Sequence, residues 1–591
     1  MAVYVPGLVA ILVFYLVILA IGIWAARKAG IRATQLRIDD VMLANRSIGL
    51  FIGSFTMTAT WVGGGYINGS TEVVAFDGLV WCQAPIGYSL SLLFGGFFFA
   101  TKMRSSGFIT MLDPFHWKYG DLMNCLLYIP ALSGDVFWSA SILASLGATL
   151  KVVLELDLVV ATVVSAAFAL CYTLVGGLYS VAYTDVVQLI CIFIGLWICV
   201  PFAMLHEATL PITTNSSDLW YGTLDPAYIG NYVDFGLLLI FGGIPWQVYW
   251  QRALAAKTVY VAKTLSILSA VGCVIMAVPA VLMGAVAAST DWNQTEYGSP
   301  RLLASDRTLT LPLVMRYLCP TAVTFIGLGA VSAAVMSSTD SSILSSSCMF
   351  ARNVFGVIYT RVYREKPSET KIVWVMRVSQ VVITAMSCAM AISVNSIYYL
   401  FLLCSDFVYV ILFPQLVCVM YLKGSNSYGS LSAFVVGLVV RLLGGEKGLS
   451  LPATIIFPWY DTNTETQLFP FRTMSMLLSL FTLIVVSYTI DFLFRYQVVP
   501  LKYDFYRCFQ HLKDSGVSST QLVSVSSTSV VSIDTVLTNT SSDTHCVGER
   551  GSDQIKGDNV RFRGSNSDQR YLFSTPTLQA IIHKDGDSVG V

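Results

Sequence analysis

The chain has 591 residues, 55% hydrophobic and only 12% charged, with a mean hydropathy of +0.68. A soluble domain carries about 25% charged residues, so this composition describes a polytopic protein of the lipid bilayer. Formal net charge is zero, which argues against a nucleic-acid partner that needs a basic face.

Apolar windows of about 20 residues mark membrane helices. Thirteen occur, at 6–26, 48–70, 79–101, 121–150, 157–177, 184–205, 231–251, 262–288, 318–348, 372–394, 398–422, 428–443 and 474–494. The first, "GLVAILVFYLVILAIGIWAARK", is too long for a signal-peptide core and lacks a basic flank before it, so a retained helix is expected.

Loops after odd-numbered spans hold most of the Lys and Arg residues, among them Arg27, Lys28, Arg104, Arg252, Arg361 and Lys423. The opposite loops hold Lys151, Arg301, Arg307, Lys447 and Arg472. The positive-inside rule then predicts an extracellular N-terminus and a cytoplasmic tail. Two glycosylation sequons, at Asn215 ("NSS") and Asn293 ("NQT"), fall in loops assigned to the outside, while those at Asn45 and Asn539 fall inside.

Thirteen cysteines lie mostly in apolar spans, with Cys508 and Cys546 in the tail. A stapled ectodomain is not expected. From about residue 499 the chain turns Ser/Thr-rich without helical periodicity ("DSGVSSTQLVSVSSTSVV"). Such a tail is expected to be disordered, open to phosphorylation and to trafficking proteins.

The second span contains "TATWVGGGYINGS". Each glycine in a helix interior costs about 1 kcal/mol relative to alanine, so three in a row demand a reason. The seventh span, five further on, is interrupted by "GGIPWQ" at 242–247. Gly/Pro breaks at corresponding positions of two halves point to a five-plus-five inverted repeat with substrate held between broken helices. Glycines that let helices approach closely are the plainer explanation of either break alone. Two symmetric breaks, each beside a tryptophan, favour the repeat.

At this point the motifs become specific. "TLVGGLYSVAYTDVVQ" (173–188) resembles the signature of the sodium/solute symporter family. "TATWVGGGYING", "CQAPIGYSLSL", "TMLDPF", "GGIPWQVYWQR", "STDWNQTEYG" and "GLGAVSAAVMSSTDSSILSSSCMFARN" resemble its choline-carrying branch. The resemblance spans residues 6 to about 500 and implies an all-α membrane fold of the LeuT type with about 13 transmembrane helices. The expected divisions are 1–47 (first helix and cytoplasmic loop), 48–205 (first repeat), 206–425 (second repeat with extracellular loops), 426–498 (two C-terminal helices) and 499–591 (tail). The implied activity is sodium-coupled, chloride-dependent, electrogenic uptake of choline for acetylcholine synthesis. The implied location is the plasma membrane, at presynaptic terminals and on synaptic vesicles. No motif for a chloride site is legible, and no nucleophile, general base or metal constellation points to an enzyme.

Choline is a quaternary ammonium with no N–H to donate. Aromatic faces hold such a head at about 0.5–1 kcal/mol each when exposed and about 2 or more when desolvated. Micromolar binding takes about 8 kcal/mol, close to the ceiling for a ligand of roughly seven heavy atoms. One ring does not suffice. The candidates are Trp61 and Trp246 at the two breaks, with Trp138 and Tyr88 on neighbouring spans, where the resemblance places the substrate pocket. Trp24 and Trp197 suit the interfacial belt instead. Asp135 lies one helical turn before Trp138 and shares its face; it reads first as a structural, hydrogen-bonded aspartate, and second as a group tuning the pocket's potential.

Sodium needs hard oxygen ligands, and "AAVMSSTDSS" offers Ser337, Ser338 and Asp340 in a buried helix. Serines alone more often mean close packing; the resemblance identifies this segment with the family's sodium-binding helix. It implies a first sodium held by the Ser337 and Ser338 hydroxyls and the carbonyls of Ala334, Thr58 and Trp61. Asp340, an intramembrane carboxylate and so a functional residue by default, is assigned to a second cation site.

Overall fold

The structure, a computed structural model, describes residues 42–174, 178–212 and 217–510 together with residues 9, 13, 14, 16–18, 20–22 and 24. Most of the first expected span, the sequon at Asn215 and the Ser/Thr-rich tail lie outside the described residues.

Among the described residues nine helices are long and apolar enough to cross a membrane, and Leu158–Leu170 and Ser427–Leu443 are shorter apolar helices. The expected span at 48–70 is not one helix but two, α1 (Leu50–Trp61) and α2 (Gly64–Phe76). Then follow α3 (Ala84–Phe94, running on to Ser105), α4 (Asp113–Leu154), α5 (Leu158–Thr173) and α6 (Leu178–Met204). The seventh expected span is likewise split, into α7 (Ile229–Gly242) and α8 (Gln247–Ala255). The remaining helices are α9 (Val259–Ser289), α10 (Thr310–Leu318), α11 (Thr321–Met349, continuing to Tyr363), α12 (Glu369–Ser393), α13 (Ile397–Tyr421), α14 (Ser427–Leu443) and α15 (Phe471–Arg495). Among the described residues a short antiparallel hairpin forms, β1 (Tyr460–Asp461) with β2 (Thr466–Gln467), pairing Tyr460 with Gln467.

Helix α11 is the centre of the fold. Every residue from Gly327 to Met349 is buried, although many are Ser, Ala or Gly. Small side chains let backbones approach where lipid supplies no hydrophobic drive between helices. Its most extensive partner is α6, where Gly195 lies against Ala330 and Gly327 against Cys199. Helices α4, α12, α5 and α1 also pack against it.

Two charges expected in loops are instead interior. Arg252, counted with the cytoplasmic loops, is fully buried in α8, and Arg472, counted with the outer loops, is buried in the first turn of α15. Each faces carboxylates from distant segments. Counting charges along a sequence reads their distance from an apolar window, not what they pair with.

Candidate functional site

Helix α1 stops at Trp61, where Val62 leaves helical geometry and Gly63 is extended (φ −95°, ψ −171°). The Val62 N–H still donates to the Thr58 carbonyl (2.9 Å). The glycine run has a second cause beside the break. A Cβ on Gly63 would meet Ser338 Cβ at 2.5 Å, and one on Gly64 would meet Ser145 Oγ and Val335 Cγ2 at 2.6 Å. Break and close approach thus coincide: the unwound segment lies directly on α11 and α4. In the second break Pro245, which has no N–H, precedes an extended Trp246 (φ −100°, ψ 132°). There Gly243 sits against Ser91 of α3.

The two breaks bring the four expected rings together. The Trp61 centroid lies 5.0 Å from Trp246, 5.8 Å from Trp138 and 6.3 Å from Tyr88. Trp246 lies 5.0 Å from Trp138 and 5.5 Å from Tyr88. All four are buried, and the indole N–H groups of Trp61 and Trp246 have no hydrogen-bond partner. Tyr88 is fixed by its hydroxyl, which bonds Ser405 Oγ (2.7 Å) and donates to the Phe401 carbonyl (2.9 Å). Phe401, whose ring is 4.8 Å from Tyr88, is a fifth aromatic that sequence reasoning missed. Nothing separates it by type or spacing from other aromatics in its apolar span.

The expected cation residues divide. Ser338 donates to the Thr60 carbonyl at the end of α1 (3.0 Å), so it does face the first break. Ser337 turns elsewhere and donates to Asp185 of α6 (2.5 Å). Asp340 accepts from Thr173 at the end of α5 (2.8 Å), leaving its Oδ2 unpartnered. Thr58 and Ala334 are buried beside them. Asp185 also receives Thr56 Oγ1 and pairs with Arg252 (3.3 Å), which in turn donates to Ser341 (2.5 Å). Asp185 and Arg252 were missed. The intramembrane-carboxylate rule applied to Asp340 applies equally to Asp185.

Toward the α2 end of the site a cavity of about 370 Å³ is lined by Trp81, Gln83, Tyr228, Tyr398, Arg307 and neighbouring residues. Arg307 closes part of it, holding Glu72 at 2.8 Å and also Asp77. Burial works against the Arg307 charge, but Asp77 and Glu72 raise its pKa above the ordinary value. Glu72 in turn accepts Ser396 Oγ (2.5 Å) and the Ile397 N–H (2.9 Å), joining α2 to the start of α13. Asn293, the one of the two outside-assigned sequons that lies among the described residues, is exposed on a short 3-10 helix, Trp292–Gln294.

Residues 41–437 match the model of the sodium:solute symporter family. The chain is 54% identical over 512 residues to the Drosophila melanogaster protein named high-affinity choline transporter 1, covering 86% of this chain and 82% of that one. It is 51% identical over 516 residues to the Homo sapiens protein named high affinity choline transporter 1, covering 85% of this chain and 88% of that one. Among solved structures, a Na+-coupled sialic acid symporter in a substrate-bound, outward-open state superposes with a TM-score of 0.66. That match covers 82% of this chain and 97% of the other at 16% identity, a likeness of fold.

Proposed function

Because this chain belongs to the sodium:solute symporter family, we propose that it carries choline into cells together with sodium, by alternating access. One observation carries the choline reading. Four aromatic rings from four separate segments converge at the two helix breaks with centroids 5.0–6.3 Å apart, the lining a quaternary ammonium needs and an ion alone does not. The names of the relatives at 54% and 51% identity support the same substrate.

In this reading Trp61, Tyr88, Trp138 and Trp246 form the choline cage. Sodium binds where Ser338 meets the end of α1, with Thr58, Trp61 and Ala334 as further ligands and Ser337 joining them by giving up its bond to Asp185, and Asp340 serves a second cation. Sodium binding orders the break and completes the cage, and the bundle then rocks inward. Each net charge moved inward gains about 2.3 kcal/mol per 100 mV of inside-negative potential, so the cycle is electrogenic. Chloride dependence, supply of choline for acetylcholine synthesis at presynaptic terminals, an extracellular N-terminus and glycans at Asn293 and Asn215 belong to the same proposal. The repeats at 48–205 and 206–425 are its moving parts.

Radiolabelled choline uptake into cells expressing the chain, with sodium and with sodium replaced, tests it. Uptake is expected only with sodium. Trp61→Leu should raise the half-saturating choline concentration at least tenfold, which is about 1.4 kcal/mol, and Trp61→Phe should raise it less, since a weaker π face remains. Equal and small effects of Leu and Phe would mean packing rather than cation recognition. Absence of sodium-dependent uptake would refute the transport reading.

A further inference from the structure

Seven aspartates and glutamates are buried among the described residues: Glu72, Asp135, Asp185, Asp234, Asp340, Asp406 and Asp504. Four have a basic partner within 4 Å. Glu72 pairs with Arg307, Asp185 with Arg252, Asp234 with Arg472, and Asp406 with Arg441. Asp504 lies beyond the last helix and is met by the N–H groups of Cys508 and Phe509 and by the Tyr428 hydroxyl. That leaves two buried carboxylates within the helices with no cationic partner, Asp340 and Asp135. In both, Oδ2 has no hydrogen-bond donor.

A protein takes a carboxylate out of water without a partner only at considerable cost. Two such groups in a carrier of two kinds of cation suggest that the missing partners arrive with the cargo. Asp340 accepts from the Thr173 hydroxyl and lies one turn beyond Ser337, hard oxygen groups suited to a metal ion. The surroundings of Asp135 are different. It is one turn before Trp138 on α4, so the two side chains share a face. Its neighbour Gly134 lies against the carbonyl of Cys404 (2.7 Å from a Cβ there), and Cys404 Sγ is 3.3 Å from the Tyr88 hydroxyl. The Asp135 carboxyl lies near Ser346, Tyr128 and Cys404, beside the aromatic cluster rather than among its rings.

We propose that Asp135 is the counter-charge of the bound organic cation: it sets the preference of the site for a positively charged ligand over an uncharged one of the same shape. The proposal rests on the choline reading and deepens it. The placement follows from the ligand's chemistry. A trimethylammonium head offers no hydrogen bond, so a carboxylate inside the cage would displace a ring and receive no donor in return. Coulomb attraction needs no contact and acts at a distance where water is excluded. Rings make the contact; the carboxylate beside them supplies the field.

The test measures ligand discrimination by the full-length chain, purified in detergent with sodium present. Bound radiolabelled choline is displaced by unlabelled choline or by 3,3-dimethyl-1-butanol, its uncharged isostere. Asp135→Asn should reduce the preference for choline over the isostere at least tenfold, and Asp135→Glu, which keeps the charge, should stay within about threefold of the unaltered chain. Equal loss of both ligands in Asp135→Asn would show a structural role and overturn the proposal. So would an unchanged preference, or a shift in sodium activation with discrimination intact. If the unaltered chain binds no choline in sodium, the transport reading falls and this one with it. Normal choline binding by the unaltered chain, with an Asp135→Asn variant that still prefers choline over the isostere, removes this one alone.

Discussion

Two clusters of buried charge among the described residues are built differently. In one, Asp406 of α13, Arg441 of α14, Glu446 and Arg472 of α15 form an unbroken chain, with Arg441 Nε at 2.7 Å from Asp406 and Arg472 Nη2 at 2.6 Å from Glu446. Asp234 of α7 joins it, 3.7 Å from Arg472 and met by the Thr473 N–H at 2.7 Å. In the other, Asp185 and Arg252 pair across α6 and α8, but their remaining side-chain partners are the hydroxyls of Thr56, Ser337 and Ser341, with Arg252 also donating to the Val248 carbonyl. Ser337 belongs to the proposed sodium set, and Asp340 with its unpartnered oxygen lies one turn further along the same helix face. A guanidinium–carboxylate lattice fixes geometry. A pair shared with hydroxyls beside a broken helix can exchange partners when a cation arrives. The first cluster is built as a fixed support, and the second is the one the proposed sodium site would draw on.

The largest effect expected from that difference is on stability. Arg441→Met leaves Asp406 buried without its main partner, a loss of about 3–5 kcal/mol by analogy with other broken buried pairs. Thermal unfolding of the purified chain should show a large drop in midpoint, while sodium activation of uptake by whatever reaches the surface stays normal. A stable Arg441→Met chain with altered sodium activation would place this cluster in the transport cycle and erase the distinction.

Next in size is Asp340→Asn, which keeps the shape and removes the charge. Sodium activation of choline uptake should move several-fold to higher sodium, with choline weakened only through linkage between the sites. Ser337→Ala should shift sodium activation too, and the two changes should couple. Surface biotinylation run alongside separates this from a folding defect. A well-expressed Asp340→Asn chain with unchanged sodium activation would remove Asp340 from the second cation site.

Legibility in the sequence follows the range of the interactions. The helix breaks are local: three glycines after Trp61 and a proline before Trp246 announce them without tertiary information, and the split of both spans follows. The convergence of Trp61, Tyr88, Trp138 and Trp246 is legible because Trp61 and Trp246 adjoin the breaks, Tyr88 lies in a quoted family motif, and the resemblance places Trp138 in the same pocket. Pairing is not local. Arg252 and Asp185 are 67 residues apart, and Arg472 and Asp234 are 238 apart, so apolar windows assign each arginine to a loop. The direction of a hydroxyl is equally invisible: Ser337 and Ser338 are adjacent, yet one faces Asp185 and the other the end of α1.

The smallest expected effect, an absence of change, sharpens the contrast from the other side. Glu446 lies in the loop between α14 and α15. Burial alone would raise its pKa, but Arg472 and Arg441 outweigh burial and hold the carboxyl down to about 2. A carboxylate whose pKa is depressed on folding contributes stability above its unfolded value of about 4.3, and that contribution is lost as pH falls through the folded value. Between pH 7.4 and 5.5 the group is ionised in both states, so its contribution is flat; the loss begins only below about pH 4.3. Thermal unfolding of the unaltered chain and of Glu446→Gln should therefore differ by a constant offset from pH 7.4 to 5.5, with the offset shrinking toward pH 3. An offset that already shrinks between pH 7.4 and 5.5 would mean that the arginines do not hold this carboxylate, and that the cluster titrates in the range where a fixed support should not.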